Sequence, residues 1–535
     1  MNNALSNPRI LVVTPEITYL PMGMGDIVNG FSAKAGGLAD VSAALINALF
    51  EQGAEVHVAL PDYRSIFASK VAPFMIKELN TIRRKIPGER IHLAEDRAFL
   101  NLQSVYSDYK AENARIALAF QREVINNIIP RIQPDLIHCN DWMTGLIPAM
   151  ARTLGIPCLF TIHNIHSVKC PMSHIEAGGI DAASFWPHLF FEHTPSTYES
   201  ARKYHPVDFL TSGISAAHFV NTVSPTFLDE ILNGRHLFIK EQIRKELTNK
   251  VEAGCAVGIL NAPDPSYDPQ KDKTLICRYG PRDHVRAKQT NKQFLQEALG
   301  LVKDVRAPLF FWPSRLDAVQ KGCRLMAQIL HDVVSSFWSQ KLQIVFVADG
   351  EFKEHFKKIV RVHNLVDRVA VCDFEERLSR LAYGAADFVL MPSLFEPCGL
   401  TQMIGAIYGA LPVAHNTGGI HDTIRHLDIE KDEGNGFLFE THDAGGLFRA
   451  ISQAMLFYNK LTDFKRHQIE RIMTQSAESF KHAVTARQYV GLYEKMLQRP
   501  LINNKTAGDI IGQKRTTKAL RIEDFKRQRS PKSFS

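Results

Sequence analysis

No two of the eight cysteines stand at CxxC spacing; they occupy positions 139, 158, 170, 255, 277, 323, 372 and 398. That excludes zinc-ribbon and thioredoxin-like chemistry, and reduced thiols in a cytoplasm are expected. No HxH or HExxH spacing supports a metal site, so none is expected. No apolar run approaches the roughly 18 residues that span a bilayer, so no membrane partner is expected. The N-terminus, MNNALSNPRILVV, lacks a basic stretch followed by an apolar one, which argues against a secretory signal. A GxxxxGK[ST] phosphate loop is missing. Gly23-Met24-Gly25 offers GxG, but Val28 stands where a dinucleotide fingerprint needs its third glycine, so no cofactor is expected. A strong charge bias is missing too. The chain carries 63 Lys and Arg against 56 Asp and Glu, a net +7. Nine of those cations and three of the anions fall in residues 501–535, so +6 belongs to the tail and +7 − 6 = +1 to the rest. A near-neutral body does not indicate nucleic acid as a partner. The basic tail reads as solvated and disordered.

What is present is ordinary globular material: 535 residues, 45% hydrophobic and 22% charged. Short apolar, β-branched segments alternate with helical patterns. Strands are expected at 9–16, 55–61, 135–141, 157–164, 219–225 and 256–261, and again at 309–316, 342–350, 369–374, 388–394, 411–416 and 436–440. Near-continuous apolar strands separated by helices predict parallel sheets covered on both faces. Two such sets predict an α/β protein of two doubly wound domains facing a cleft. The segment NAPDPSYDPQKDK, with three prolines, cannot continue a helix or a central strand. The expected organisation is a first domain over 1–262, a linker over 263–273 and a second domain over 274–482. A closing helix over 483–501 and the tail over 502–535 follow. Ligands of such sheets bind beyond the carboxyl ends of strands.

Five segments sit at such places. Lys34-Ala35-Gly36-Gly37 opens a helix after a long loop; its N–H groups and lysine suit an anion, or form a tight turn with a solvated lysine. Asp141, in HCNDW, and His163, in FTIHN, end neighbouring apolar strands and could line one cleft. Each alone reads as a helix cap or a hydrogen-bonded histidine. Arg315 and Lys321, in SRLDAVQKG, could grip a diphosphate, or start a charged helix. In SLFEPCGLT, Glu396 could accept from sugar hydroxyls, and Cys398 would be a pocket wall or a packed thiol.

Together, KAGGLADV, HCNDW, FTIHN, NTVSP, GILN, SRLDAVQKG, MPSLFEPCGLTQM and NTGGIHDTI occur in the order found in bacterial glycogen synthases and plant starch synthases. The chain resembles that family from about residue 9 to about 500. The resemblance implies a GT-B fold and transfer of glucose from ADP-glucose to the non-reducing end of an α-1,4-glucan, with retention and without metal. It places Lys34, Gly36 and Gly37 near the donor diphosphate and the acceptor. It places Asp141 and His163 by the reacting sugar, and Arg315 and Lys321 on the diphosphate. It gives Glu396 and Cys398 to the glucose, Gly399, Leu400 and Thr401 to a phosphate-facing helix start, and Phe374 to the adenine. The chain departs from the pattern in one extra residue between Arg315 and Lys321, in Asn140 for a usual histidine, in Ala262 for a usual glycine, and in HSVKCPMSHI after His163. The alternatives are a sister transferase using UDP-glucose, a phosphorylase, and a silent glucan-binding protein on the same fold.

Overall fold

The computed structural model describes residues 7–21, 23–24, 32–68, 90–107 and 109–502. The expectation for the basic tail, and most of the GxG segment, therefore lie outside the described residues.

Two parallel sheets organise the chain. The first contains β1 (Arg9–Val13), β2 (Glu55–Pro61), β3 (Ile91–Ala94), β4 (Leu136–Asn140), β5 (Cys158–Ile162), β8 (Phe219–Thr222) and β9 (Ala256–Gly258). Their order is β3-β2-β1-β4-β5-β8-β9. Between β5 and β8 lies a small antiparallel ribbon of β6 (Lys169–Pro171) and β7 (Pro206–Asp208). The second sheet holds β10 (Leu309–Trp312), β11 (Gln343–Val347), β12 (Val369–Cys372), β13 (Phe388–Met391), β14 (Leu411–His415) and β15 (Phe437–Phe439). Its order is β12-β11-β10-β13-β14-β15.

Every residue of β10 and β11 is buried, because both faces of the sheet are covered. Successive side chains point to opposite faces. Phe310, Trp312, Ile344 and Phe346 thus join one apolar cluster, and Leu309, Phe311, Val345 and Val347 another. This is why the strands read as unbroken apolar runs rather than alternating ones. All twelve expected strands are present, most of them trimmed at their ends.

No helix or strand runs from 259 to 283, a longer stretch than the proline-rich segment alone. The helix His482–Leu497 follows the second sheet in sequence but packs on the first. Ala486, Tyr489, Leu492 and Tyr493 join that sheet's core. Tyr493 Oη pairs with His138 Nδ1 at 2.7 Å, and Asn221 Nδ2 donates to Tyr489 Oη at 3.0 Å, so the buried polar groups beneath it are satisfied. Among the described residues, no helix is long and apolar enough to cross a membrane.

Candidate active site

The carboxyl ends of β1, β4 and β5 form one wall. Glu16, just past β1, is buried and was not singled out by sequence. Its Oε2 accepts from the N–H groups of Ala35 and Gly36, both at 2.8 Å, and its Oε1 accepts from Tyr106 Oη at 2.6 Å. The N–H groups of this turn were expected to face a ligand anion; those of Ala35 and Gly36 are instead held by the chain's own carboxylate. Lys34 is likewise engaged, with Nζ 2.7 Å from Asp40 Oδ2. Burial pulls the Lys34 pKa down, but the Asp40 contact outweighs it and holds the group above its ordinary value. Gly36 opens onto free space, and a Cβ on Gly37 would meet Leu400 Cδ1 at 3.6 Å. Gly37 therefore faces the second sheet's domain directly.

Asp141 and His163 are brought together by strand register. Asn140 pairs with Thr161, so the residues following β4 and β5 emerge side by side. Asp141 does not cap the short helix Trp142–Thr144 that it precedes. Its Oδ1 accepts from the His163 N–H at 2.9 Å, and its Oδ2 from Asn164 Nδ2 at 2.7 Å. The backbone of Asp141 sits at φ 59°, a region costing a non-glycine residue about 1–3 kcal/mol. Asp141 N–H to Thr161 O, and Thr144 N–H and Oγ1 to Asp141 O, hold it there. Burial pushes the Asp141 pKa up to about 7, with a smaller push from Glu16, against the hydrogen bonds from His163 and Asn164. His163 donates through Nε2 to Asn140 Oδ1 at 2.9 Å, while Asn140 Nδ2 donates to Val13 O at 3.2 Å. Burial lowers the His163 pKa to about 3, so its ring is neutral at ordinary pH. The asparagine that replaces the usual histidine thus fixes the ring, through a bond whose acceptor is an amide oxygen at every pH.

The opposite wall comes from the carboxyl ends of β10 and β13, which are paired neighbours. Lys321 Nζ donates to Glu396 Oε2 at 2.6 Å, and Ser393 Oγ donates to the same oxygen at 3.0 Å. The extra residue between Arg315 and Lys321 does not draw the lysine away. Asp317 Oδ1 accepts from the N–H groups of Val319 and Gln320, forming a turn over that stretch. Gly322 then takes φ 72°, where a Cβ would lie 1.9 Å from Pro392 O. Only glycine permits that close approach of the two loops. Arg315 is exposed, and among the described residues it has no hydrogen-bond or ion-pair partner. Phe374, beyond β12, is 53% exposed, and its N–H donates to Asp349 Oδ1 at 3.3 Å.

Cys398 packs with Val223 and Met403, against Leu260, so its pocket is built from both domains. Burial pushes its thiol pKa up to about 12. Gly399 has φ 71°, and Leu400 is the first flanking residue of the helix Thr401–Ile407. Among the described residues no group of three or more His, Cys, Asp or Glu could hold a metal ion.

Comparison with known proteins identifies the family and the fold. A family profile described as "Starch synthase catalytic domain" matches residues 9–243, and one described as "Glycosyl transferases group 1" matches 307–456. The glycogen synthase of Bacillus licheniformis is 33% identical over 87% of this chain and 96% of its own. That of Moorella thermoacetica is 32% identical over 92% of this chain and 97% of its own. The catalytic domain of starch synthase IV from Arabidopsis thaliana, solved with ADP and acarbose, superimposes with a TM-score of 0.74. That match covers 92% of this chain and 100% of that one at 24% identity, and supports the two-domain GT-B fold. The chain belongs to the glycogen and starch synthase family of glycosyltransferases.

Proposed function

We propose that this protein is a retaining glucosyltransferase that moves glucose from ADP-glucose to the non-reducing end of an α-1,4-glucan. The observation that carries the reading is the Lys321–Glu396 pair at adjacent strand ends, with the exposed guanidinium of Arg315, unpaired among the described residues, on the same loop as Lys321. Breaking the bond between the anomeric carbon and the diphosphate oxygen leaves its electron pair on the phosphate. Charge builds there in the transition state, so cations aimed at it bind more tightly as the bond stretches. Arg315 and Lys321 fill that role, with the N–H groups of Gly399, Leu400 and Thr401 beside them. Glu396 accepts from the hydroxyls of the transferred glucose, Cys398 closes the pocket as a small neutral wall, and Phe374 offers its exposed ring to adenine. On the opposite wall, neutral His163 and Asp141 meet the sugar, and Lys34, Gly36 and Gly37 border the acceptor. The glucan 4-hydroxyl attacks the face the diphosphate leaves, and its proton passes to the departing phosphate oxygen. No protein nucleophile is required. That a starch synthase of the same fold was solved with ADP and acarbose favours an adenine nucleotide and a glucan-like ligand.

Elongation of a radiolabelled maltooligosaccharide, with ADP-glucose, UDP-glucose and glucose 1-phosphate supplied separately, tests the reading. Preferential elongation with ADP-glucose supports it. Preference for UDP-glucose or glucose 1-phosphate, or no transfer from any donor, overturns it.

A further inference from the structure

The helix Pro225–Leu232 belongs to the first domain but makes several of its polar contacts to the second. Ser224 Oγ donates to Pro397 O at 2.6 Å. Thr226 donates to Asp422 through its N–H at 3.0 Å and its hydroxyl at 2.7 Å. Glu230, 4% exposed, accepts from Thr417 Oγ1 at 2.9 Å and from the Gly418 N–H at 3.0 Å. Within its own domain it also takes His236 Nε2 at 2.8 Å and Arg235 Nη1 at 2.9 Å. Burial raises the Glu230 pKa, but these hydrogen bonds and the Arg235 charge outweigh it, so the carboxyl titrates below its ordinary value.

The turn that Glu230 grips is the one against which the Glu396 loop rests. Gly419 N–H donates to Glu396 O at 3.0 Å. Gly418 has φ 47°, and a Cβ there would lie 2.0 Å from the same Glu396 oxygen. The loop 396–398 is therefore held from two sides by one helix of the other domain, through Ser224 on Pro397 and through Glu230 by way of Gly418 and Gly419.

We infer that Glu230 is a positioning residue that makes the placement of Glu396 depend on the docking of the two domains. The inference rests on the proposed role of Glu396 toward the donor glucose. If the domains separate, Glu230 loses two of its bonds and the 416–419 turn loses its anchor. The loop carrying Glu396 is then free to move before any donor contact is lost. If they dock, a desolvated carboxylate with four bonds restores it. A buried charge-assisted bond of this kind is worth more than a neutral one, and losing one partner leaves the other unsatisfied. Binding of the nucleotide, by contrast, rests chiefly on Arg315 and Lys321, neither of which, among the described residues, bonds the 416–419 turn.

The test compares the full-length protein with Glu230→Gln and, from the other side of the contact, Thr417→Val. Three quantities are read: kcat for glucan elongation, ADP affinity by calorimetry, and amide hydrogen exchange over 393–400 and 416–424. Both variants are expected to lower kcat about tenfold, the scale of one lost charge-assisted bond, with ADP affinity within about twofold. Exchange should rise in the two named segments and stay at the wild-type rate in β10 and β11. Combined, the substitutions should lower kcat by less than the product of the two single effects, since both act on the same group of bonds to the 416–419 turn. Wild-type kcat or wild-type exchange in 393–400 in both variants overturns the inference. So does a uniform rise in exchange across the chain in both, which would show a purely structural role. Absence of transfer by the unmodified protein would instead refute the proposed function. The exchange measurement stands apart from that outcome, and reports on the contact itself.

Discussion

The two walls of the cleft differ in how their charges are satisfied. On the first-domain wall, each charged group considered is engaged within its own domain. Glu16 holds a turn, Asp40 neutralises Lys34, and Asp141 is wrapped by His163 and Asn164. On the second-domain wall the Lys321–Glu396 pair stands on two loops pressed together by Gly322, and Arg315 has no partner among the described residues. The first wall is thus a fixed, largely neutral surface, suited to uncharged sugar. The second keeps positive charge in reserve, suited to a diphosphate that gains charge as its bond to sugar breaks.

That contrast is broken most severely at Glu396. Glu396→Ala should lower glucan elongation by about 10³, since it removes an anchor of the sugar and unpairs Lys321. ADP affinity, measured by calorimetry, should stay within about threefold, because the diphosphate cations remain. A collapse of ADP binding would move Glu396 to the nucleotide.

The next effect is pH-dependent and belongs to the other wall. The folded-state pKa of Asp141 is near 7, well above that of an unfolded aspartate. Between about pH 4 and pH 7 the folded chain holds a proton that the unfolded chain has released, so stability falls as pH rises through that window. Relative to Asp141→Asn, which cannot titrate, the wild type should lose stability on the order of a few kcal/mol across this range and stay level above it. Denaturant midpoints of both proteins at several pH values check this. Parallel curves would show an ordinary, solvated aspartate.

The smallest effect is expected at Cys398. Its thiol is buried and protonated, so Cys398→Ser should change kcat less than about threefold and cost about 1–2 kcal/mol of stability through a poorly paired hydroxyl. Thermal unfolding and initial rates separate the two. Abolished turnover in a folded variant would make the thiol a participant in the chemistry.

Much of this was legible in the sequence because it is local. The buried strands announced themselves as apolar runs, and the motifs at their carboxyl ends fell on the cleft. β3 was missed because Ile91–Ala94 is a four-residue strand with polar His92 in it. β6 and β7 were missed because they are three residues long and each contains a proline. The residues overlooked at the site share another property: their partners are distant in sequence. Glu16 meets Gly36 across 20 positions and Tyr106 across 90. Glu230 meets Gly418 across 188. No spacing rule reaches that far. The glycine-rich turn at Gly36 was legible as an anion cradle, but which anion fills it depended on where β1 delivers Glu16.

The reserve of positive charge on the second wall is tested most directly by ADP-glucose turnover in Arg315→Ala. Among the described residues its guanidinium has no partner to leave stranded, so the substitution should leave the fold and its melting temperature intact. The predicted result is a fall in kcat by about 10²–10³, the size of losing one charge-stabilising donor at the transition state. Near-normal turnover in the folded variant would contradict it.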